Sequence, residues 1–154
     1  MKDLIEIKEF IARARINTWA GGLGKQGAKR TGSEGVFVFE EGELKYEDEY
    51  FGGPRFQGEE IVYENGKPVW GMVYFGGVPE SVDVNSEEEF DFLKKALLSQ
   101  NKLARFPRVA EYEEGEREYS CLVDGEMNNF TGHETVTHKG TVTHEVFFAG
   151  GIIK

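Results

Sequence analysis

The segments FQGEEIVYENGKPVWGMVYFGGV (residues 56–78) and FTGHETVTHKGTVTHEVFFAGGI (residues 130–152) align without a gap. Phe56/Phe130, Gly58/Gly132, Glu60/Glu134, Val62/Val136, Gly66/Gly140, Gly76/Gly150 and Gly77/Gly151 are identical pairs. In each segment, β-branched and aromatic residues run up to a two-residue turn, Asn65-Gly66 or Lys139-Gly140, and continue beyond it. That pattern predicts two β-hairpins with type I′ turns. Counted from the turns, Glu64 falls opposite Lys67, Ile61 opposite Trp70 and Thr135 opposite His144. Upstream, Glu41-Gly42-Glu43-Leu44 matches Asp124-Gly125-Glu126-Met127. Glu41-Gly42 reads as the turn of an earlier hairpin joining Val36–Glu40 to Glu43–Phe51.

Each copy follows a helix. Asp3-x-x-Glu6 is a capping-box start, and Leu4, Ile7, Ile11 and Ala14 recur at helical spacing beside Phe10, which predicts a helix over residues 3–15. Ser86-x-x-Glu89 opens a second, with Phe90, Leu93 and Leu97 on one face and Phe92 and Ala96 widening it, ending near Gln100-Asn101. The predicted fold is α+β: a single domain, residues 1–154, made of two pseudo-repeats (3–78 and 86–152). Their strands form one curved antiparallel sheet of about seven or eight strands, with two helices packed on it.

Composition limits the function. The 154 residues include 28 acids against 18 Lys and Arg, a net charge of −10. Residues 1–32 carry +4 and residues 33–154 carry −14, so the body repels phosphate backbones and nucleic acid is not an expected partner. No run approaches the roughly 18 apolar residues of a membrane span, and KDLIEIKEF at the N-terminus does not read as a secretory leader. One cysteine, Cys121, leaves no disulfide framework. Its strand-like run, Tyr119–Val123, offers no basic partner, so it reads as a buried thiol. The expectation is a soluble, cytoplasmic, acidic protein with no cofactor.

Strand alternation selects the candidate site. Tyr46, Asp48 and Tyr50 share a face, as Trp70, Met72 and Tyr74 share one with Tyr63, Ile61 and Glu59. Val62, Val69 and Val73 take the opposite face. An acid embedded in an aromatic face is costly unless hydrogen-bonded or neutral, and such an acid can anchor an amine or hydroxyl or serve as an acid or base. Trp19, Tyr46, Asp48, Tyr50, Glu59, Trp70 and Tyr74 are therefore the candidate lining of a cavity for a small organic ligand. Two alternatives stand beside it. Asp48 and Glu59 can form the acid/base pair of a hydrolase-like enzyme. Strands apolar on both faces can instead make a homo-oligomeric, structural module.

Two weaker constellations complete the reading. The basic loop Gly21–Arg30 fits neither a P-loop nor a dinucleotide fingerprint, leaving two readings: a plain flexible connector, or a weak anion contact through Lys25, Lys29 and Arg30 in a loop able to close over an anionic ligand. The turn-based register puts His133 and His144 on one face as diagonal neighbours about 7–8 Å apart, a weak metal candidate, with His138 pointing away. No Cys or Asp is spaced to complete the set, which leaves Glu126 or a residue of another strand to do so, and no metal is expected.

Trp19-Ala20-Gly21, then Tyr46-x-Asp48-x-Tyr50-x-Gly52-Gly53-x-x-Phe56-x-Gly58-Glu59-Glu60, then Pro68-Val69-Trp70-x-Met72-x-Tyr74-x-Gly76 resemble, in this order, a prokaryotic domain family of unknown function. The family occurs alone or C-terminal to helix-turn-helix domains of XRE-type regulators. The likeness covers nearly the whole chain. It departs at Lys29–Gly35, which fits a Ser-Arg-Pro pattern only loosely, and at Arg105-Phe106-Pro107-Arg108, where the family has a Pro-Tyr-Arg-Gly-Pro-like segment. The resemblance implies no established activity; fusion to regulators implies a sensor or effector role.

Overall fold

A computed structural model describes residues 2–99 and 109–154, without the side chains of Lys25 and Val109. The elements run α1 (Leu4–Ile16), β1 (Lys25–Gln26), β2 (Gly35–Glu41), β3 (Leu44–Gly52), β4 (Arg55–Glu64), β5 (Lys67–Gly77), α2 (Ser86–Ser99), β6 (Val109–Glu114), β7 (Arg117–Glu126), β8 (Asn129–His138) and β9 (Thr141–Ile152). The expected helix end at Gln100-Asn101 and the segment Arg105–Arg108 lie outside the described residues.

α1 starts as its capping box dictates. Asp3 Oδ1 accepts the Glu6 N–H at 2.8 Å, and the Glu6 carboxylate accepts the Asp3 N–H at 3.3 Å. α2 starts differently from the expected Ser86/Glu89 box. Asn85 Oδ1 accepts the Glu87 N–H at 3.0 Å, while Glu89 turns inward and is fully buried. There it accepts the Thr143 hydroxyl at 2.6 Å and the Arg117 guanidinium at 3.2 Å. A half-buried arginine and a buried hydroxyl on the sheet outcompete a local cap.

All strand pairs are antiparallel, in one sheet of order β1-β2-β3-β4-β5-β9-β8-β7-β6. Eight strands have six to twelve residues; β1, at the edge, has two. Each half is a four-stranded meander, and the halves join where β5 meets β9, with Tyr74 opposite Phe148 at the centre. α1 and α2 lie on one face. Ile7, Phe10, Ile11 and Ala14 from α1, and Phe92, Leu93 and Ala96 from α2, meet Tyr46, Val62, Trp70, Tyr119, Val136 and Phe148 from the sheet.

Both hairpins of the aligned segments turn as predicted: Asn65 and Gly66 have φ of 50° and 77°, Lys139 and Gly140 of 53° and 77°. Beyond the turns, the register departs from the simple count. Tyr63 pairs with Pro68 but Val62 with Trp70, and Thr137 with Val142 but Val136 with His144. Val69 and Thr143 are therefore the extra residues of two β-bulges at the same place in each hairpin. At each bulge two successive side chains turn inward: Val69 and Trp70, Thr143 and His144 are all buried. Trp70 thus sits opposite Val62 rather than Ile61, and His144 opposite Val136 rather than Thr135. Past each bulge the faces exchange, so Trp70, Met72 and Tyr74 share theirs with Val62, Glu60 and Gly58, not with Tyr63, Ile61 and Glu59.

The upstream match also shifts. Asp124 and Gly125 lie within β7, opposite Thr131 and Phe130. The segment in the place of Glu41-Gly42-Glu43 is Glu114-Gly115-Glu116, because Tyr46 pairs with Val62 as Tyr119 pairs with Val136.

No described helix lies on the other face of the sheet. Leu122, His133, Phe147 and Phe75 form a cross-strand row, with His133 stacked on Phe147 at 4.4 Å. Phe75, Phe147 and Leu122 are each more than half exposed there.

Candidate functional site

Between the helices and the sheet a cleft of about 580 Å³ opens over β3, β4 and β5. Its floor is Asp48 and Tyr50 from β3, Phe56 and Glu60 from β4 and Tyr74 from β5. One wall is the C-terminal end of α1 with Arg15 and Trp19; the other is α2, whose Phe90, Lys94 and Leu97 face inward. The apolar stripe of α2 divides here: Phe92, Leu93 and Ala96 go to the core, leaving Phe90 and Leu97 half-buried at the cleft.

The polar centre is built through a glycine. Tyr74 pairs with Gly58, and its ring lies across that residue; a Cβ there would come within 2.3 Å of the phenol oxygen. With the path over β4 open, the Tyr74 hydroxyl reaches two strands across and donates to Asp48 Oδ1 at 2.6 Å. Asp48 is held without losing its place on the cleft floor. In the other half the same construction is apolar. Phe148 lies over Gly132, with its ring 2.0 Å from where a Cβ would stand, and Cys121 pairs with Glu134 as Asp48 pairs with Glu60. The carboxylate and the hydroxyl belong to one half only.

Beside Asp48, the buried Glu60 binds Arg15 of α1. The guanidinium donates to Oε2 from NH2 at 2.5 Å and from Nε at 3.2 Å. Aromatic rings close the rest. Phe56 meets Tyr74 at 6.0 Å and Phe90 at 6.0 Å, Trp19 meets Phe90 edge-on at 6.3 Å, and the Lys94 ammonium sits 5.0 Å above the Trp19 ring.

Burial raises the Tyr74 phenol well above its ordinary value of 10.0, and the Asp48 carboxylate adds to the shift because a phenolate beside it would be repelled. Burial also raises Tyr50, with Glu34 and Asp48 contributing. The sign for stability follows. The unfolded chain gives up these protons at a lower pH than the folded one, so stability falls as pH climbs past 10.0. Urea unfolding at neutral and strongly alkaline pH checks this: the midpoint drops on the alkaline side, and Tyr74→Phe makes the drop shallower.

Of the seven residues expected to line a cavity, Trp19, Asp48, Tyr50 and Tyr74 meet at the cleft. Tyr46 and Trp70 lie beneath it in the core, with Trp70 Nε1 donating to the Met127 carbonyl at 3.0 Å. Glu59 is on the opposite face, where it accepts from Arg30 at 2.7 Å. The bulge at Val69 put it there, and Glu60 stands inward in its stead. Asp48 and Glu59 consequently do not flank a common cleft. Glu60, Arg15, Phe56 and Phe90 were missed; Glu60 had one signal, its identity with Glu134, which is fully buried and accepts the Tyr119 hydroxyl at 2.8 Å.

No described side chain of the basic loop lines the cleft. The loop crosses the β2 edge, where a Cβ on Gly27 would come within 2.7 Å of Val36, and continues on the helix-free face. Arg30 there bonds Glu49 and Glu59 and lies 5.3 Å from the Phe51 ring, and Lys29 Nζ donates to the Glu34 carbonyl at 2.6 Å. The Lys25 side chain lies outside the description. The two histidines also separate. His133 is on the helix-free face, its Nε2 3.1 Å from Glu145, whereas His144 is fully buried against Phe56 and Phe90. The second bulge parts them. No group of three or more His, Cys, Asp or Glu suited to a metal occurs among the described residues. Cys121 is buried. No described helix is long and apolar enough to cross a membrane.

Fold and site together define an α+β protein with a cleft between two helices and an antiparallel sheet. The chain belongs to the family described as Domain of unknown function (DUF5680), whose profile matches residues 48–153. The match begins at Asp48, so Arg15 and Trp19 lie ahead of it. No curated protein and no solved structure matches the chain.

Proposed function

We propose that the cleft binds a small organic ligand and that the protein works as a sensor- or effector-like binding domain. The observation that carries this reading is Asp48, held by Tyr74 on the floor of an aromatic-walled cleft of ligand size. Reading the halves as copies of one unit strengthens it: the copy with the cleft has Asp48 and Tyr74, the other Cys121 and Phe148. The resemblance to domains joined to prokaryotic helix-turn-helix regulators supports the sensor role. A thermal-shift screen against metabolites and divalent metals, with Asp48→Asn run alongside, tests it. Binding to the native state raises the melting temperature by mass action. The expected result is a metabolite shift that Asp48→Asn abolishes; no shift with any metabolite overturns the proposal.

A second reading, association through the helix-free face, is favoured by the exposed row around Phe75 and Phe147. Light scattering across a concentration series checks it: a dimer that Phe147→Lys converts to monomer supports it, and a concentration-independent monomer removes it.

A further inference from the structure

Resting on that binding reading, we infer that the cleft's ligand is an organic cation, an amine or quaternary ammonium group carried on an apolar or aromatic body. The first argument is charge. Among the described lining residues, Arg15 and Glu60 neutralise each other, and Asp48 on the floor with Glu34, Glu87 and Asp91 around the mouth outnumber the remaining cation, Lys94. An anionic ligand enters against that field, while a cation is drawn in by it. The second argument is the wall. Trp19 already carries an ammonium group, that of Lys94, 5.0 Å above its ring. Aromatic faces attract cations through their negative quadrupole, and the attraction grows as water is excluded. The protein thus uses within its own cleft the interaction that would recognise the ligand. The third is position. Asp48 lies among the rings of Tyr50, Phe56 and Tyr74, so a ligand ammonium set against the carboxylate has its organic body laid on aromatic surface.

Three probes of one shape separate the possibilities: 2-phenylethylamine, 2-phenylethanol and 3-phenylpropionate, titrated while following tryptophan fluorescence. Trp70 is fully buried in the core, so a change on binding reports Trp19, and Trp19→Phe removes it. The amine is expected to bind about tenfold more tightly than the alcohol. The carboxylate is expected to bind most weakly. Asp48→Asn should reduce the amine's affinity about tenfold and leave the alcohol's unchanged. Should Asp48→Asn not fold, Asp91→Asn on the exposed side of α2 should still weaken the amine selectively. Binding of the alcohol or carboxylate as tight as the amine's overturns the cation assignment while leaving the cleft a binding site. Failure of all three to bind, with the metabolite screen also empty, overturns both.

Discussion

Replacing Trp70 with alanine should lower stability by about 3–5 kcal/mol, the largest loss expected from any single side chain here. Trp70 is fully buried, stacks on Phe130 at 5.9 Å and donates its indole N–H to the Met127 carbonyl at 3.0 Å. Its ring joins the two halves of the sheet beneath the cleft, and the surrounding Val62, Met72 and Phe148 are themselves locked by packing. Little can collapse into the vacated volume, so the cavity term adds in full to the lost transfer free energy. At roughly 2–4 °C per kcal/mol for a chain of this size, calorimetry should record a fall of about 10 °C. Trp70→Phe keeps the stacking but loses the N–H, and its melting temperature should lie between the two. An alanine variant that melts within a degree or two of the parent would show that this residue is not the centre of the core.

Trp70 also shows where sequence reading succeeds and where it stops. Its burial was legible from an apolar run beside a strong turn. Its neighbours were not, because a bulge inserts one residue without altering composition, and an alternation counted from the turn carries the error along the whole strand. Two successive bulky residues after each turn, Val69-Trp70 and Thr143-His144, read equally well as a strand apolar on both faces. That ambiguity put Glu59 in the cleft in place of Glu60 and brought His133 and His144 to one side. β3 has no bulge, and there the Tyr46, Asp48, Tyr50 alternation pointed to the right face. Trp19 was legible only as a residue past the end of α1. What brings it to Phe90 and Lys94 is the packing of two helices far apart in the chain, which no local pattern encodes. The basic loop is a similar case: its Arg30 finds Glu49 and Glu59, partners distant in sequence.

Breaking the Arg15–Glu60 pair should be nearly as damaging as removing Trp70. Both side chains are withdrawn from water, at 13% and 4% exposure, and the guanidinium makes three hydrogen bonds to the carboxylate. Removing one partner leaves the other charge in a low-dielectric site, at a cost of about 3–5 kcal/mol, whereas replacing both with apolar residues of similar size is often close to neutral. Arg15→Met and Glu60→Met should therefore each unfold at much lower urea concentration, and the double variant should recover most of the loss. The recovery is the informative part, because it separates the cost of an orphaned charge from the cost of lost packing. The double variant bears on function as well. Arg15 ties the end of α1 to β4, and that end carries Trp19 on the cleft wall. With the pair replaced by methionines, the fold should persist while the wall is held by packing alone. The melting temperature should then stay near that of the parent, and the fluorescence of Trp19, measured in a Trp70→Phe background, should shift towards that of a more exposed indole. If the single variants are as stable as the parent, the pair is not buried in solution and the α1 wall of the cleft is not fixed by it.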